Sequence, residues 1–222
     1  MKTLRERANE LEAEGIFLGG PAKLFETAGR RLLITLLSEG LTPGSKILDI
    51  GCGCLRGGYW LIHFLDKGCY FGIEPNMDML EAGIRILLEP GLADSKDPRF
   101  DHNADFDFAV FEEKFDFFVA RSIWTHASKQ QIQTMLDGFV GTANKEAIFL
   151  TSYIKPRWFR KDYRGAQWVG RSHESDTPGI VRHGFGWIQT ECANRGLAAE
   201  EIREKAYNFG GQTWIRITRK AS

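Results

Sequence analysis

The sequence lacks the features that would tie a protein to a membrane or a polyanion. The longest charge-free apolar stretch near the N-terminus, Leu32 to Ser38, is far shorter than the roughly 20 residues of a membrane span. The charged first residues contain no apolar segment of a secretory signal. With 29 basic and 29 acidic side chains, the chain has no net charge to attract a nucleic acid. We therefore expect a cytoplasmic protein with no membrane span, and the balanced charge does not imply a polyanion partner.

Cysteine is also scarce. The chain has four cysteines, and their irregular spacing is unlike that of a disulfide framework. No CxxC pair or histidine pair completes a tetrahedral set of metal ligands around Cys52 and Cys54. We expect reduced thiols and no bound metal.

What is present is typical of a folded α/β protein. Hydrophobic residues make up 43% of the chain and charged residues 26%, which are ordinary proportions for a globular domain. From Lys46 onward, short apolar segments alternate with segments of helical periodicity, as in a mostly parallel sheet covered by helices. We predict one domain with a doubly wound, Rossmann-like, mostly parallel seven-stranded sheet and helices on both faces. Its expected parts are an N-terminal helical extension (1–40), a cofactor-binding core (41–154), a lid-like insertion (155–186) and a C-terminal helix with strands (187–222).

Local signals place the elements. Thr3 and Glu6 form a capping-box pattern that predicts a first helix, and Ser128 is the expected N-cap of a later one. Pro21 suits the first position of a second helix, which Gly40 ends. The expected strands are 46–51, 69–74, 99–103, 115–120, 146–153, 199–205 and 213–218.

The most informative segment runs from Lys46 to Gly58, a strand that ends in a glycine-rich turn. Gly51 and Gly53 permit a tight turn and let a ligand approach the backbone closely. A dinucleotide fingerprint would need glycine where Arg56 stands, which disfavours an NAD site. Asp49 beside the turn suits a cationic, amine-bearing ligand better than a pyrophosphate.

Glu74 is the last residue of the second expected strand, 21 residues after Gly53. A carboxylate at this point can accept hydrogen bonds from both hydroxyls of a ribose. The sequence therefore predicts a ligand that contains a nucleoside.

These residues resemble the class I S-adenosylmethionine-dependent methyltransferases. The family's first motif, an acidic residue followed by x-G-x-G, stands here as Asp49-Ile50-Gly51-Cys52-Gly53, and the resemblance covers about residues 40 to 155. It implies S-adenosylmethionine as cofactor and S-adenosylhomocysteine as product. The frequent third glycine of the motif is replaced by Leu55, with Gly57 and Gly58 following it. A fainter likeness, in the same loop and in the Gly19-Gly20-Pro21 segment, is to bacterial methyltransferases seen in saccharide and natural-product contexts.

The resemblance also implies roles for individual residues. Asp49 and the backbone of Gly51 to Gly53 would hold the methionyl part, and Glu74 the ribose. Asp105 would meet the adenine amino group and Phe106 would flank the ring, while the end of the segment Phe115–Ser122 would face the sulfonium and the acceptor. The implied cofactor-binding set is Asp49, Gly51, Cys52, Gly53, Glu74, Pro75, Asp105, Phe106, Arg121 and Ser122.

Fewer sequence signals point to the residues that bind the methyl acceptor. His126, just past the fourth expected strand, is the best-placed general base if the acceptor is a hydroxyl. The insertion interleaves basic and aromatic side chains, which suits binding of a ring that carries polar groups. The expected acceptor-binding residues are Trp124, Tyr153, Trp158, Tyr163, Trp168, His173 and His183.

The leading hypothesis is a methyltransferase that acts on a small molecule, most simply an O-methyltransferase for a sugar or a nucleotide-linked metabolite. Two alternatives stay open at this point: a methyltransferase for protein or RNA, and a non-catalytic module that binds the cofactor. The sequence leaves a homodimer open as well.

Overall fold

A computed structural model describes residues 2–158, 162–170, 179–203 and 211–220. Contacts divide the chain into two compact units, Met1–His102 and Asn103–Ser222. No helix among the described residues is long and apolar enough to cross a membrane.

The first unit combines an N-terminal pair of helices with a parallel sheet. Its strands β1, β2 and β3 lie in the order β3-β2-β1, and both neighbouring pairs are parallel. A single 3-10 turn, Ala22–Leu24, precedes the second helix. The elements are α1 (Leu4–Ala13), α2 (Phe25–Ser38), β1 (Ile47–Ile50), α3 (Gly58–Phe64), β2 (Tyr70–Ile73), α4 (Met77–Leu87), α5 (Leu92–Lys96) and β3 (Arg99–Asp101).

Sequence signals explain how the N-terminal extension forms and attaches. Thr3 and Glu6 make the predicted capping box, which satisfies backbone N–H groups at the start of α1. The nearly buried Arg7 of α1 donates to a carboxylate oxygen of Glu89 at 2.8 Å. Glu89 also accepts a bond from the Tyr59 hydroxyl at 3.1 Å. One carboxylate after α4 thus ties α1 to α3.

The second unit contains the other strands. β4 runs parallel to β5, whereas β7 is antiparallel to both β5 and β6. The core between strands and helices is aromatic: the Phe118 ring has its centroid 4.8 Å from that of Phe139 and 5.4 Å from that of Phe115. The elements are β4 (Phe115–Ala120), α6 (Lys129–Thr142), β5 (Ala143–Tyr153), α7 (Phe185–Ala193), β6 (Leu197–Glu201) and β7 (Thr213–Arg219).

The strands follow the order β3-β2-β1-β4-β5-β7-β6 in one seven-stranded sheet. The predicted mostly parallel α/β sheet with flanking helices is therefore confirmed, and the antiparallel β7 is the exception to the parallel pattern. Ser128 is the N-cap of α6, as expected, and it forms a capping box with Gln131.

Candidate cofactor and acceptor sites

The turn after β1 and the end of β2 meet at one edge of the first unit. Ile50 is aligned with Ile73 in the parallel register, so both strands end at the same level. Gly51 then takes a φ of 71° and donates its N–H to the carbonyl of Ile73 at 2.8 Å. Gly53, at φ 58°, also adopts the left-handed conformation that favours glycine. The two glycines thus turn the chain back across the end of β2.

Glu74 is the central side chain of this edge. It is only 3% exposed, and its two carboxylate oxygens accept the N–H groups of Gly53 and Asn76, each at 2.9 Å. The Asn76 side chain in turn caps α4 by accepting the Met79 N–H at 3.0 Å. These two bonds fix the orientation of the Glu74 carboxylate at the end of β2.

Asp49 is buried and accepts a hydrogen bond from the Tyr70 hydroxyl at 2.8 Å. Burial, and then the negative charge of Asp49, raise the pKa of the Tyr70 hydroxyl well above its ordinary value, so this hydroxyl remains the donor. Asp49 therefore fixes the base of the turn, and its predicted role toward the methionyl part remains a prediction.

The two cysteines of the turn, Cys52 and Cys54, are buried and form no disulfide. Burial, and then the charges of Asp49 and Glu74, raise the pKa of the Cys52 thiol well above its usual range. Burial raises the pKa of Cys54 to about 11. A Cβ atom on Gly72 would lie 2.9 Å from the Cys52 sulfur, which shows how closely strand and thiol pack. No cluster of potential metal ligands occurs among the described residues.

Leu55 stands at the position where a third glycine was expected, and it adopts the left-handed conformation itself, at φ 63°. Gly57 instead has helical dihedrals, at φ −83° and ψ −42°. A Cβ atom on Gly57 would lie 2.5 Å from the Leu32 side chain, and one on Gly58 would lie 2.6 Å from the Tyr70 hydroxyl. These two glycines allow α3 to pack closely, and the turn conformation does not depend on them.

In the second unit, Ser122 follows β4 and has a φ of 62°. Its N–H donates to the Ser152 hydroxyl at 2.8 Å, and its own hydroxyl accepts the Gln212 amide at 2.8 Å. The Ser152 hydroxyl donates to the side-chain oxygen Oε1 of Gln212 at 2.6 Å, which closes the ring of bonds. Sequence analysis identified Ser122 but missed Ser152 and Gln212, since no local pattern links positions so far apart in the chain.

The structure places His126 against the insertion. Its Nδ1 donates to the Val169 carbonyl at 2.6 Å, and its ring stacks on that of Trp168 with centroids 5.6 Å apart. The Val169 N–H donates back to the His126 carbonyl at 2.9 Å. Burial lowers the pKa of His126 below its ordinary value. His126 therefore fastens the described part of the insertion to the loop after β4, and its catalytic role stays a prediction.

Three of the expected acceptor-binding residues are fully buried: Trp124, Tyr153 and His183. Trp124 packs edge-on against Phe149, with ring centroids 5.9 Å apart. The Tyr153 hydroxyl donates to Glu201. His183 Nε2 donates to the Ala127 carbonyl at 3.0 Å, and burial lowers the pKa of His183. Burial of this kind favours a packing role over contact with an acceptor.

The remaining expected site residues differ in exposure. Trp158 is 92% exposed, whereas Trp168 is 4% exposed. The Tyr163 hydroxyl donates to the Gln167 carbonyl at 2.9 Å. Asp105 is exposed and Phe106 is buried with a φ of 60°. His173 lies outside the described residues, and Pro75 and Arg121 are half-buried.

Comparisons with known proteins bear on the fold. No family model matches the chain, and no curated protein matches it by sequence. Among solved structures, one similar protein is the magnesium protoporphyrin IX methyltransferase of Synechocystis PCC 6803, which was solved with bound S-adenosylmethionine. It superposes with a TM-score of 0.62 and 14% sequence identity, and the match covers 90% of this chain and 81% of that one. The chain has the fold of S-adenosylmethionine-dependent methyltransferases.

Two further structures of this fold class are similar over most of the chain. Streptomyces venezuelae DesVI gives a TM-score of 0.63 at 15% identity and covers 99% of this chain and 100% of its own. The glycopeptide N-methyltransferase MtfA, complexed with S-adenosylmethionine, gives 0.62 at 12% identity, over 86% of this chain and 94% of its own. The fold that the sequence resemblance implies is thus confirmed.

Proposed function

We propose that this methyltransferase-fold protein is an enzyme that transfers a methyl group from S-adenosylmethionine to a small-molecule acceptor. The observation that carries the proposal is the buried Glu74 carboxylate, which the N–H groups of Gly53 and Asn76 hold at the end of β2. A fixed, charged acceptor beside a glycine turn fits the two hydroxyls of a ribose. The Glu74 carboxylate thus fits the ribose in the nucleoside part of the cofactor.

The bound cofactor would supply the methyl group on a positively charged sulfur, which is a good leaving group. The protein's own task is then mainly to orient and desolvate the acceptor, and orientation contributes on the order of 7 to 11 kcal/mol in favourable cases. In this proposal Glu74 orients the ribose, while Asp49 and the Gly51–Gly53 turn hold the methionyl end. Asp105 and Phe106 take the adenine roles that the sequence resemblance implies.

We further propose a hydroxyl acceptor, of the kind found in sugars and nucleotide-linked metabolites. His126 supports this proposal because the bond from its Nδ1 to the Val169 carbonyl holds the imidazole in one orientation in the loop after β4. Its lowered pKa keeps the ring neutral near pH 7, the form in which it accepts a proton. A cytoplasmic location and a homodimer are further expectations of the sequence that accompany this proposal.

The proposal is tested by calorimetric titration of the purified, ligand-free protein with S-adenosylmethionine, S-adenosylhomocysteine and NAD. We expect micromolar binding of the first two and none of NAD. A folded sample that binds none of the three would overturn the assignment of the glycine turn. Cofactor binding without transfer of labelled methyl to any pool of small hydroxylated metabolites would instead favour a non-catalytic cofactor-binding protein.

A further inference from the structure

Arg56, three residues after Gly53, extends its side chain to the turn between α1 and α2. Its Nη1 donates to the Gly19 carbonyl at 3.1 Å. A Cβ atom on Gly19 or on Gly20 would lie 3.3 Å from the guanidinium nitrogens. Gly19 and Gly20 have positive φ values of 67° and 151°. The two glycines therefore form a close-fitting wall along one side of the guanidinium.

The charge of Arg56 has no counter-ion among the described residues. No carboxylate there forms an ion pair with it, whereas Arg7, the buried arginine of this unit, pairs with Glu89 at 2.8 Å. A guanidinium has five N–H donors, and the structure gives this one a single carbonyl acceptor. Burial lowers the pKa of Arg56, yet an arginine stays charged at neutral pH. The guanidinium is only partly buried, and none of its nitrogens is a buried atom without a hydrogen-bond partner, so the N–H groups that remain can donate to an anion that arrives from solution.

The position of Arg56 connects this charge to the proposed reaction. Three residues of chain span at most about 11 Å, so the Arg56 backbone lies within that distance of the Gly53 N–H that donates to Glu74. The wall at Gly19 and Gly20 belongs to the N-terminal extension, which contributes none of the proposed cofactor-binding residues. An anion held here would thus lie between the cofactor turn and a separate segment of the first unit.

Resting on the proposed function, we infer that Arg56 binds an anionic group of the methyl acceptor, a carboxylate or a phosphate, and so determines acceptor specificity. The planar fork of donors matches both groups in a two-point hydrogen bond. The cofactor's own carboxylate has the same chemistry, and the experiments below distinguish the two sources.

The first experiment uses the full chain labelled with ¹⁵N-arginine and saturated with S-adenosylhomocysteine. Inorganic phosphate is titrated at constant ionic strength, and the side-chain N–H signal of Arg56 is assigned by its loss in Arg56→Lys. We expect a saturable shift of the Arg56 signal with millimolar affinity. The matched control is Arg30, an exposed arginine of the same unit that already contacts Glu26 at 3.5 Å, and its signal should stay in place. A shift at Arg56 that is absent, or no larger than that at Arg30, overturns the inference.

The second experiment asks which molecule supplies the anion. Dissociation constants of S-adenosylhomocysteine and of 5′-methylthioadenosine, which lacks the amino acid carboxylate, are measured for the wild type and for Arg56→Gln. We expect both constants to change less than about twofold, because the site serves the acceptor. A loss of about tenfold or more for S-adenosylhomocysteine alone would assign Arg56 to the cofactor and overturn the inference.

Failure of the proposed function is separable from failure of this inference. If the wild type binds no S-adenosylhomocysteine, the methyltransferase proposal fails, but the phosphate titration without cofactor still tests Arg56. Because the phosphate experiment reads the wild-type protein, it keeps its meaning even if Arg56→Gln does not fold.

Discussion

Replacing Glu74 by glutamine tests the proposed ribose contact with the smallest change of shape. The variant keeps the size of the side chain and one acceptor oxygen, but it removes the charge and turns the second oxygen into an N–H₂ donor. In the present structure that second position faces a backbone N–H, of either Gly53 or Asn76, at 2.9 Å. Glu74→Gln therefore weakens the ligand contact and also loosens the turn that presents it.

The expected size of the effect follows from the types of bond. Hydrogen bonds to a charged group contribute about 1.5 to 3 kcal/mol and neutral ones about 0.5 to 1.5 kcal/mol. Making the bonds to two ribose hydroxyls neutral should then cost about 1 to 3 kcal/mol, or roughly 5- to 150-fold in dissociation constant. The loss should be equal for S-adenosylhomocysteine and 5′-methylthioadenosine, since both carry the ribose.

Calorimetric titration of wild type and variant measures this effect. The matched control is Asp78→Asn, which removes the same charge four residues away, from an exposed position in the first turn of α4. If Glu74→Gln binds both ligands within about twofold of the wild type, or if the control loses as much, the assignment of Glu74 to the ribose is refuted.

Three further predictions concern the packing, the titration and the thiols of the protein. Gly138→Ala should destabilise the protein by about 1 to 3 kcal/mol, because the new Cβ atom would lie 2.6 Å from the Phe108 ring. Gly141→Ala in the same helix should stabilise the protein by about 0.5 to 1 kcal/mol, since its Cβ atom would meet nothing within 4 Å. Urea unfolding measures the free energy of unfolding of both variants. Burial lowers the pKa of both His126 and His183 in the folded protein. Their contribution to the free energy of unfolding is therefore complete above the unfolded-state pKa of about 6.5 and is lost as the pH falls below that value. As the pH falls, the unfolding free energy should fall by at most about 1.4 kcal/mol per pH unit for each histidine. His183→Gln should reduce this dependence on pH. If the variant and the wild type have the same slope between about pH 5 and pH 7, burial does not lower the pKa of His183. The two cysteines of the glycine turn should resist alkylation by iodoacetamide at about pH 8 until the protein unfolds, because their pKa values are raised. Mass spectrometry measures the alkylation. Rapid alkylation of the folded protein would show that the turn is open to the reagent.

The sequence predicted those helices and strands whose own residues show a clear hydrophobic pattern. The prediction for β4, 115–120, is confirmed residue for residue, because a short, mostly apolar segment that is rich in aromatic residues is typical of a buried strand. α5 (Leu92–Lys96) was missed, since five residues are too few to show a helical face. The β5 strand begins at Ala143 rather than at Glu146, because its polar first residues hide the pairing of Ala143 with Phe115.

The sixth strand was predicted over 199–205, but it starts at Leu197 and ends at Glu201. Antiparallel pairing with β7, which aligns Leu197 with Arg219, sets its start, and the sequence of β6 alone does not contain that partner. Residues 204 and 205 of the prediction lie outside the described part of the chain.

Some contacts of the candidate site could likewise be predicted from the sequence, and others could not. The contact between Glu74 and the Gly53 N–H could be predicted, because the ends of two consecutive parallel strands meet at one edge of the sheet. The ring of bonds among Ser122, Ser152 and Gln212 could not, since 90 residues separate its first and last members. The burial of His183 escaped prediction for a related reason: a histidine in a glycine- and proline-rich segment is typical of a solvated loop, and only the packed structure shows the carbonyl that it faces.

Leu55 shows why the glycine turn keeps its path despite the missing third glycine. A left-handed conformation costs a residue with a Cβ atom roughly 1 to 2 kcal/mol. The Leu55 side chain is fully buried, and burying a leucine contributes about 1.5 to 3 kcal/mol, so the packing gain offsets the backbone strain. The Leu55 N–H still donates to the Cys52 carbonyl at 3.1 Å, and its own carbonyl accepts the Tyr59 N–H at 2.8 Å, which starts α3. A departure from the family motif thus preserves the turn, and the same turn directs the next side chain, Arg56, toward the N-terminal extension.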